Sequence, residues 1–352
     1  VANRVRKGKA KPDTRNAARA VKRLFRSRAI LQSPLLVDVP LWDAATNQQV
    51  IGKLNIMPPH EILDAIVAAG KEDEFASLDK SQAGLRLDLA EWASRVGVDL
   101  GEATWLMLAL WGDAAPVTHK NSLCILTVRV LSGKHRQRFW IAALSKKLLC
   151  QCGCFGRCTF DAIWEVVAWS CCALVAGEWP RTDHRQRPLQ GWRAKKAGTK
   201  LSFKAAVVAK CGDWSWHKQI LGMRGRSEKL ACWLCQAGLY DHDASLNAAW
   251  RKTKLTMSGF NAHAILGEQF VSKMFAIPGF HIGFVKPDYM HVCCLGILQY
   301  LLGNVMWELF LTVGGVYSRP KEACATLLNM TKVFAKRLGF GNAIQRPHDK
   351  DD

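Results

Sequence analysis

Apolar and polar positions change rhythm several times along the chain, and each change marks an element. Between residues 58 and 100 the apolar positions recur at helical spacing. Pro58-Pro59 precedes Ile62, Leu63, Ile66 and Val67, and that run stops at Gly70; a second run passes through Leu85, Leu89, Trp92 and Val96. Proline suits the first turn of a helix, where its missing N–H would go unused anyway, and glycine suits the position just past the end. Residues 31–100 are therefore expected to form a small, mainly helical region. From residue 104 the rhythm is that of strands. TWLMLALWGD ends at Asp113; LCILTVRVL (123–131) follows a turn containing Pro116, and RFWIAAL (138–144) follows Gly133. Short apolar runs bounded by turn residues read as strands, the last two here as a hairpin. Next come a Cys-rich loop, a helical segment from Phe160 to about Ala176 stopped by Gly177 and Pro180, and a further strand, KAAVVAKCGD (204–213). The order strand, strand, strand, helix, strand predicts an α/β core whose mixed sheet opens with antiparallel strands.

One apolar stretch has the length of a membrane span. Val292 to Val316 carries Glu308 as its only charge. Gln299, Asn304 and Glu308 interrupt it, and Asn304 and Glu308, four residues apart, share one helix face. A buried helix with a polar stripe fits this better than a helix in lipid, so no membrane partner is expected. A membrane-associated protein anchored at 292–316 is the competing reading.

Composition and charge narrow the partner. The chain has 352 residues, 49% of them hydrophobic and 22% charged, enough to bury one large domain or two smaller ones. Lys and Arg number 49 against 29 Asp and Glu, a net charge of +20, which favours a polyanionic partner. Much of the excess sits in residues 1–30, where only Asp13 opposes a series of Arg and Lys from Arg4 to Arg28. Such an arm reads as a nuclear-import or nucleic-acid patch, or as a solvated tail. The 13 cysteines, an odd number, come without an N-terminal secretory signal, which points to a reducing compartment with thiols available to metal. Val1 at the start and the polar run at residues 348–352 read as the ends of a piece of a longer protein.

Two aspartates carry the candidate chemistry. Asp113 and Asp213 each close an apolar run, and each follows glycine, in Trp111-Gly112-Asp113 and Cys211-Gly212-Asp213. Strand ends are where α/β sheets bind ligands. If the two strands are neighbours, their carboxylates converge and repel unless a cation lies between them. Hard oxygen ligands suit magnesium or manganese, and a two-ion carboxylate site suits in-line attack on phosphodiesters. The plainer alternative is that both residues merely cap strands or begin turns.

These segments resemble a known family. LWGDAAP is similar to the first-acid segment of DDE/D transposases, and KCGDWSWHKQILGMRGRSEKLACWLC to the second-acid segment of the CACTA (En/Spm) superfamily and its relatives. PDYMHVCCLGILQYLLGN resembles that family's Asp-x-x-His element, which begins a long apolar helix. The resemblance covers roughly residues 105–310. It implies an RNase H-like core beginning at 104–225, with the first acid ending the first strand and the second acid ending the fourth. Residues 226–352 would then hold the zinc-like element and a helical insertion. It also implies DNA as partner, homo-oligomers on DNA ends, nuclear localisation, and Mg2+ or Mn2+ held by Asp113 and Asp213 for phosphodiester cleavage and strand transfer. A third acid is expected; Glu308, within the apolar run, is the candidate, and one beyond residue 352 is the alternative. Without a third acid the chain would be a catalytically inactive, transposon-derived DNA-binding protein.

The cysteines supply further candidates. Cys232-Trp-Leu-Cys235 has the spacing of a zinc half-site. The family resemblance pairs it with Asp288 and His291, giving a Zn2+ set of Cys232, Cys235, Asp288 and His291; the alternative is two buried thiols and a helix-capping aspartate. Cys150, Cys152, Cys154 and Cys158 form C-x-C-x-C-x-x-x-C, either a metal knuckle or free thiols. Trp214, Trp216, His217 and Trp233 crowd the second acid, as core packing or as a stacking platform for bases.

Overall fold

In the computed structural model, residues 33–69, 83–101, 103–118, 121–131, 138–223, 232–237, 245, 247–263, 271–288 and scattered positions from 298 to 333 are described. The basic arm at 1–30 and His291 lie outside them. The chain divides into two compact units, residues 1–287 and 288–352.

The first unit opens with a hairpin, β1 (Leu35–Asp43) against β2 (Gln48–Ile56). The expectation of a mainly helical region is corrected here. Val37 and Val39 are buried while Leu36 is exposed, the two-residue period of a strand. Pro40 obscures that signal, because proline cannot donate to a ladder. A two-stranded ribbon leaves every second N–H of each strand unpaired, which accommodates it. The turn is closed by Asp43, which accepts from Ala45 N–H and Thr46 O–H, both at 2.9 Å, and by Asn47 in the left-handed region at φ 53°. Helices α1 (Pro59–Ala68) and α2 (Ala83–Val96) follow, where the periodicity puts them.

The central sheet comprises β3 (Trp105–Thr118), β4 (Asn121–Val130), β5 (Arg138–Ser145), β6 (Lys204–Gly212) and β7 (Val285–Pro287), in the spatial order β5-β4-β3-β6-β7. The first three strands run antiparallel in sequence; β6 lies parallel to β3, and β7 parallel to β6. The architecture is a mixed α/β sheet flanked by helices. One expectation fails in detail: β3 does not stop at Asp113. It continues past Pro116 to Thr118, with a register shift between Pro116 and Thr118 that absorbs the proline, and turns back only then into β4. Asp113 is therefore an interior residue of a long strand, paired with Ile125.

Helix α3 (Arg157–Ala176) is the core helix. It starts a turn earlier than Phe160 and ends, as its glycine predicts, with Gly177 at φ 71°. Phe160, Ile163, Trp164, Val167 and Leu174 are buried between the sheet, β1 and α1. Among the described residues it is the helix long and apolar enough to cross a membrane, and most of that length is buried inside the unit. Short α4 (Gly191–Lys196) is fastened to α1: Arg193 makes a two-pronged bond to buried Glu61, at 2.6 and 2.9 Å. Helix α5 (Trp214–Leu221) leaves the end of β6, and α6 (Met257–His263) precedes β7.

In the second unit, residues 298, 300–305 and 308 are helical, and every one of them is exposed, Tyr300 by 77% and Leu302 by 61%. The rest of the apolar run 292–316 lies outside the described residues.

His60 offers a test of the packing of α1 on α3. Its N–H donates to Ser170 Oγ at 2.9 Å, its Nδ1 meets the same oxygen at 2.8 Å, and its ring stands edge-on to Trp169 and Trp179 at 5.1 and 4.8 Å. Burial, reinforced by nearby Arg193, pushes its pKa down to about 3. The folded value lies below the unfolded one of roughly 6.5, so the neutral ring contributes fully above that pH, and its contribution is lost as pH falls toward 3. The stability advantage of the native chain over His60→Gln should shrink through that window, by up to about 1.4 kcal/mol per pH unit. Urea midpoints measured across it would show this, and a pH-independent difference would refute the buried neutral ring.

Candidate functional site

Pairing between β3 and β6 decides where the two aspartates go. The register runs from Trp105 opposite Lys204 to Trp111 opposite Cys211. Gly112 and Gly212 come next in each strand, then Asp113 and Asp213. The register thus carries the two acids onto neighbouring strands, two residues past the last pair of the segment. The glycines are required by Trp216. A Cβ on Gly112 would run into the indole, and a Cβ on Gly212 would meet Trp216 Cδ1 at 2.7 Å and Gly112 O at 2.8 Å. Trp216 is buried against both glycines, with Phe160 of α3 edge-on to it at 5.3 Å.

Both carboxylates are half-buried. Asp213 is the N-cap of α5; its Oδ1 accepts from Trp216 N–H at 2.6 Å. The capping role foreseen as the plain alternative is thus real for Asp213, though it engages one oxygen of the two. Asp113 Oδ1 accepts from Ala114 N–H at 2.7 Å. Among the described residues no third carboxylate, imidazole or thiol joins this pair in a potential metal group. Glu308 is an exposed helical residue of the second unit.

Strand alternation puts Asp113 and Asp213 on the face that carries Trp111 and Cys211. That face is basic and aromatic. Arg138 stacks over Trp111 at 4.1 Å, Arg129 pairs with Arg138 across β4 and β5, and Lys286 pairs with Cys211. Burial raises the pKa of the Cys211 thiol, against the pull of Lys210, Arg138, Arg129 and Lys286. Sequence reasoning missed Lys210. It is fully buried on the opposite face, 2.9 Å from Cys211 O and 5.6 Å from the Trp216 ring. Burial pulls its pKa down to about 7, with Cys211 and Asp213 opposing. The available signal was one lysine inside the apolar strand AAVVAKCG.

Of the aromatic group, Trp216 and His217 are core, while Trp214 and Trp233 are half-buried and pack together at 4.9 Å. Trp233 belongs to Cys232-Trp-Leu-Cys235, so that element leans on α5. Leu234 N–H donates to Cys232 Sγ at 3.4 Å, and Cys235 is buried and bridges to Lys254. Of the ligands that the resemblance adds, Asp288 opens the second unit and His291 lies outside the described residues.

The other cysteine group is assembled. The sulfur atoms of Cys150, Cys152, Cys154 and Cys158 all lie within 4.8 Å of one another, an arrangement that can hold a metal ion such as zinc. Comparison with protein-family models finds no match, and comparison with curated proteins finds none either.

The glycine requirement is directly testable. Gly112→Ala forces an overpacked contact with Trp216 and should cost about 1–3 kcal/mol of stability. Gly84→Ala, in α2 with nothing within 4 Å of the new methyl, should be neutral or stabilising. Equal denaturant midpoints for the two variants would contradict the close approach of Trp216.

Proposed function

We propose that this chain carries part of the catalytic core of a DDE/D-type DNA transposase with an RNase H-like fold, acting on DNA phosphodiester bonds. The observation that carries the reading is the β3–β6 register, which sets Asp113 beside Asp213. The second acid follows the fourth strand of the sheet, as the resemblance implies; the first acid is on the first strand but inside it rather than at its end. The basic, aromatic face that the acids share and the charge of +20 fit a DNA partner. The resemblance adds assembly as a homo-oligomer on DNA ends and a nuclear location.

Two adjacent carboxylates are hard oxygen donors of the kind that bind Mg2+ or Mn2+, so the residues present fit the ion in chemistry while supplying only part of its ligand set. When bound, such ions would supply activation of the attacking hydroxyl and neutralisation of charge at the phosphoryl group. The chain's own residues supply the rest. Asp213, fixed by the first turn of α5, and Asp113, fixed by its place in β3, present preset oxygens. Arg129 and Arg138 lie where a phosphate backbone crossing the sheet face would need countercharge.

A second reading is a transposon-derived DNA-binding protein that no longer cleaves. Two observations favour it: only two acids meet among the described residues, and the buried amine of Lys210 has Asp213 as a charge partner. One experiment separates the readings. The protein is incubated with labelled duplex DNA and Mn2+, and both binding and cleavage are followed. The first reading expects salt-sensitive binding, and cleavage that falls at least about a hundredfold in Asp113→Asn. Binding without cleavage selects the second reading. Cleavage that survives Asp113→Asn rejects the site, and no binding at low salt rejects both.

A further inference from the structure

We propose that Cys150, Cys152, Cys154 and Cys158 are the four ligands of a structural zinc ion that locks the loop between β5 and α3. This inference does not depend on the catalytic reading.

The first argument is geometric. Zinc–sulfur bonds of about 2.3 Å in a tetrahedron put the sulfurs about 3.8 Å apart. The four sulfurs already lie within 4.8 Å of one another, and Cys152 Sγ is 3.7 Å from Cys158 Sγ. Closing the shell needs each thiol to move by less than about an ångström. A disulfide needs about 2.05 Å, far shorter than the Cys152–Cys158 separation, and all four thiols are free.

The second argument is that the backbone is folded to make this convergence. Three residues within four positions are left-handed: Gly153 at φ 91°, Phe155 at 54° and Gly156 at 87°. An aromatic residue in that region costs roughly 1–2 kcal/mol, and such strain persists where the surroundings impose it. The turn is closed by Gly156 N–H on Cys150 O at 2.9 Å and by Arg157 N–H on Cys154 O at 3.0 Å. Cys150 N–H donates to Thr159 Oγ1 at 3.0 Å, and that hydroxyl donates to Pro40 O at 2.5 Å. Loop, helix start and β1 are thereby joined, and three loop thiols face the fourth, from the first turn of α3.

The third argument is charge. Four thiolates around Zn2+ leave a net charge of about −2. The N-terminus of α3 offers its positive end, and buried Arg157 stands close enough to Cys154 and Cys158 to interact with them electrostatically. Four soft sulfurs select zinc over magnesium or manganese, and a closed set leaves no position for water or substrate. The role is therefore mechanical. The loop walls a groove of about 610 Å3, whose other side is α5, the helix capped by Asp213; Lys146, Gln151, Phe155, Lys218 and Gln219 line it. Gln219 Nε2 donates to Phe155 O at 3.2 Å, tying the loop to α5.

The test uses the whole chain. Metal analysis of the wild type and of Cys152→Ser, whose residue is exposed and tolerates replacement, should differ by about one equivalent of zinc. Cys232→Ser serves as a separate variant, and its effect should be independent of the first. Should Cys152→Ser fail to fold, the wild type still decides the matter: zinc should protect Cys150, Cys152, Cys154 and Cys158 from alkylation as a set, and a chelator should expose them together. Cobalt substitution should give the intense absorption of a tetrahedral four-sulfur site. Equal zinc content in wild type and Cys152→Ser, alkylation of the four thiols unaffected by zinc, or a Cys152–Cys158 disulfide in the purified protein would each overturn the proposal.

Discussion

Much of the first unit hangs on one close approach, that of the Trp216 indole to two glycines, one inside β3 and one at the end of β6. A large aromatic ring buried across two backbones gains dispersion and apolar burial only if nothing projects between them. Gly112 and Gly212 meet that condition. The same contact fixes the start of α5, because Trp216 N–H is the group that Asp213 caps. It also reaches α3 through Phe160. A single side chain thus holds the central parallel strand pair, the first turn of one helix and the flank of another. The two aspartates emerge just beyond it and take their positions from it.

Much of this scaffold was legible in the sequence, because apolar periodicity reports burial and burial fixes most elements here. β4, β5 and β6 fall where the apolar runs put them, and α3 ends at the glycine that predicts its end. The errors have physical causes. Pro116 suggests a turn that ends a strand, but it lies at a register shift, a place where a missing N–H costs little; the β1–β2 hairpin is hidden because Pro40 interrupts its alternation. Lys210 escaped notice since the strand around it is so apolar that one cation looks like noise. The sulfur cluster could be counted but not assembled: its convergence depends on left-handed turns at Gly153, Phe155 and Gly156, which spacing alone does not encode.

The acid pair sits in an unusual electrostatic setting. Two carboxylates on neighbouring strands repel, and the repulsion must be offset if both are ionised. The fold supplies positive groups nearby: the N-terminus of α5 for Asp213, and Arg129, Arg138 and Lys286 around Cys211 on the shared face, while the buried amine of Lys210, its pKa pulled down to about 7, contributes only where it is protonated. These groups can do either of two things. They can neutralise the pair, which suits a surface that holds DNA without cutting it. Alternatively, they can complement the phosphates of a strand that approaches the pair together with divalent ions. The decision between them rests on how much oxygen coordination the pair can recruit.

The two candidate metal sites are chemically orthogonal, which makes their coupling structural. Hard carboxylate oxygens favour Mg2+ or Mn2+, and four thiolates favour zinc, so neither site competes for the other's ion. They meet through α5. The helix begins at Asp213 and runs along the groove whose opposite wall is the cysteine loop, with Gln219 bonded to Phe155 across it. If the loop is free to move, α5 loses a support at its far end and keeps the anchors of its buried face, Trp216, His217, Ile220 and Leu221. If zinc pins the loop, the helix is held at both ends, and the geometry of the second acid becomes a property of the core. A soft-metal site that never touches substrate would in this way stiffen a hard-metal site that must be preorganised to act.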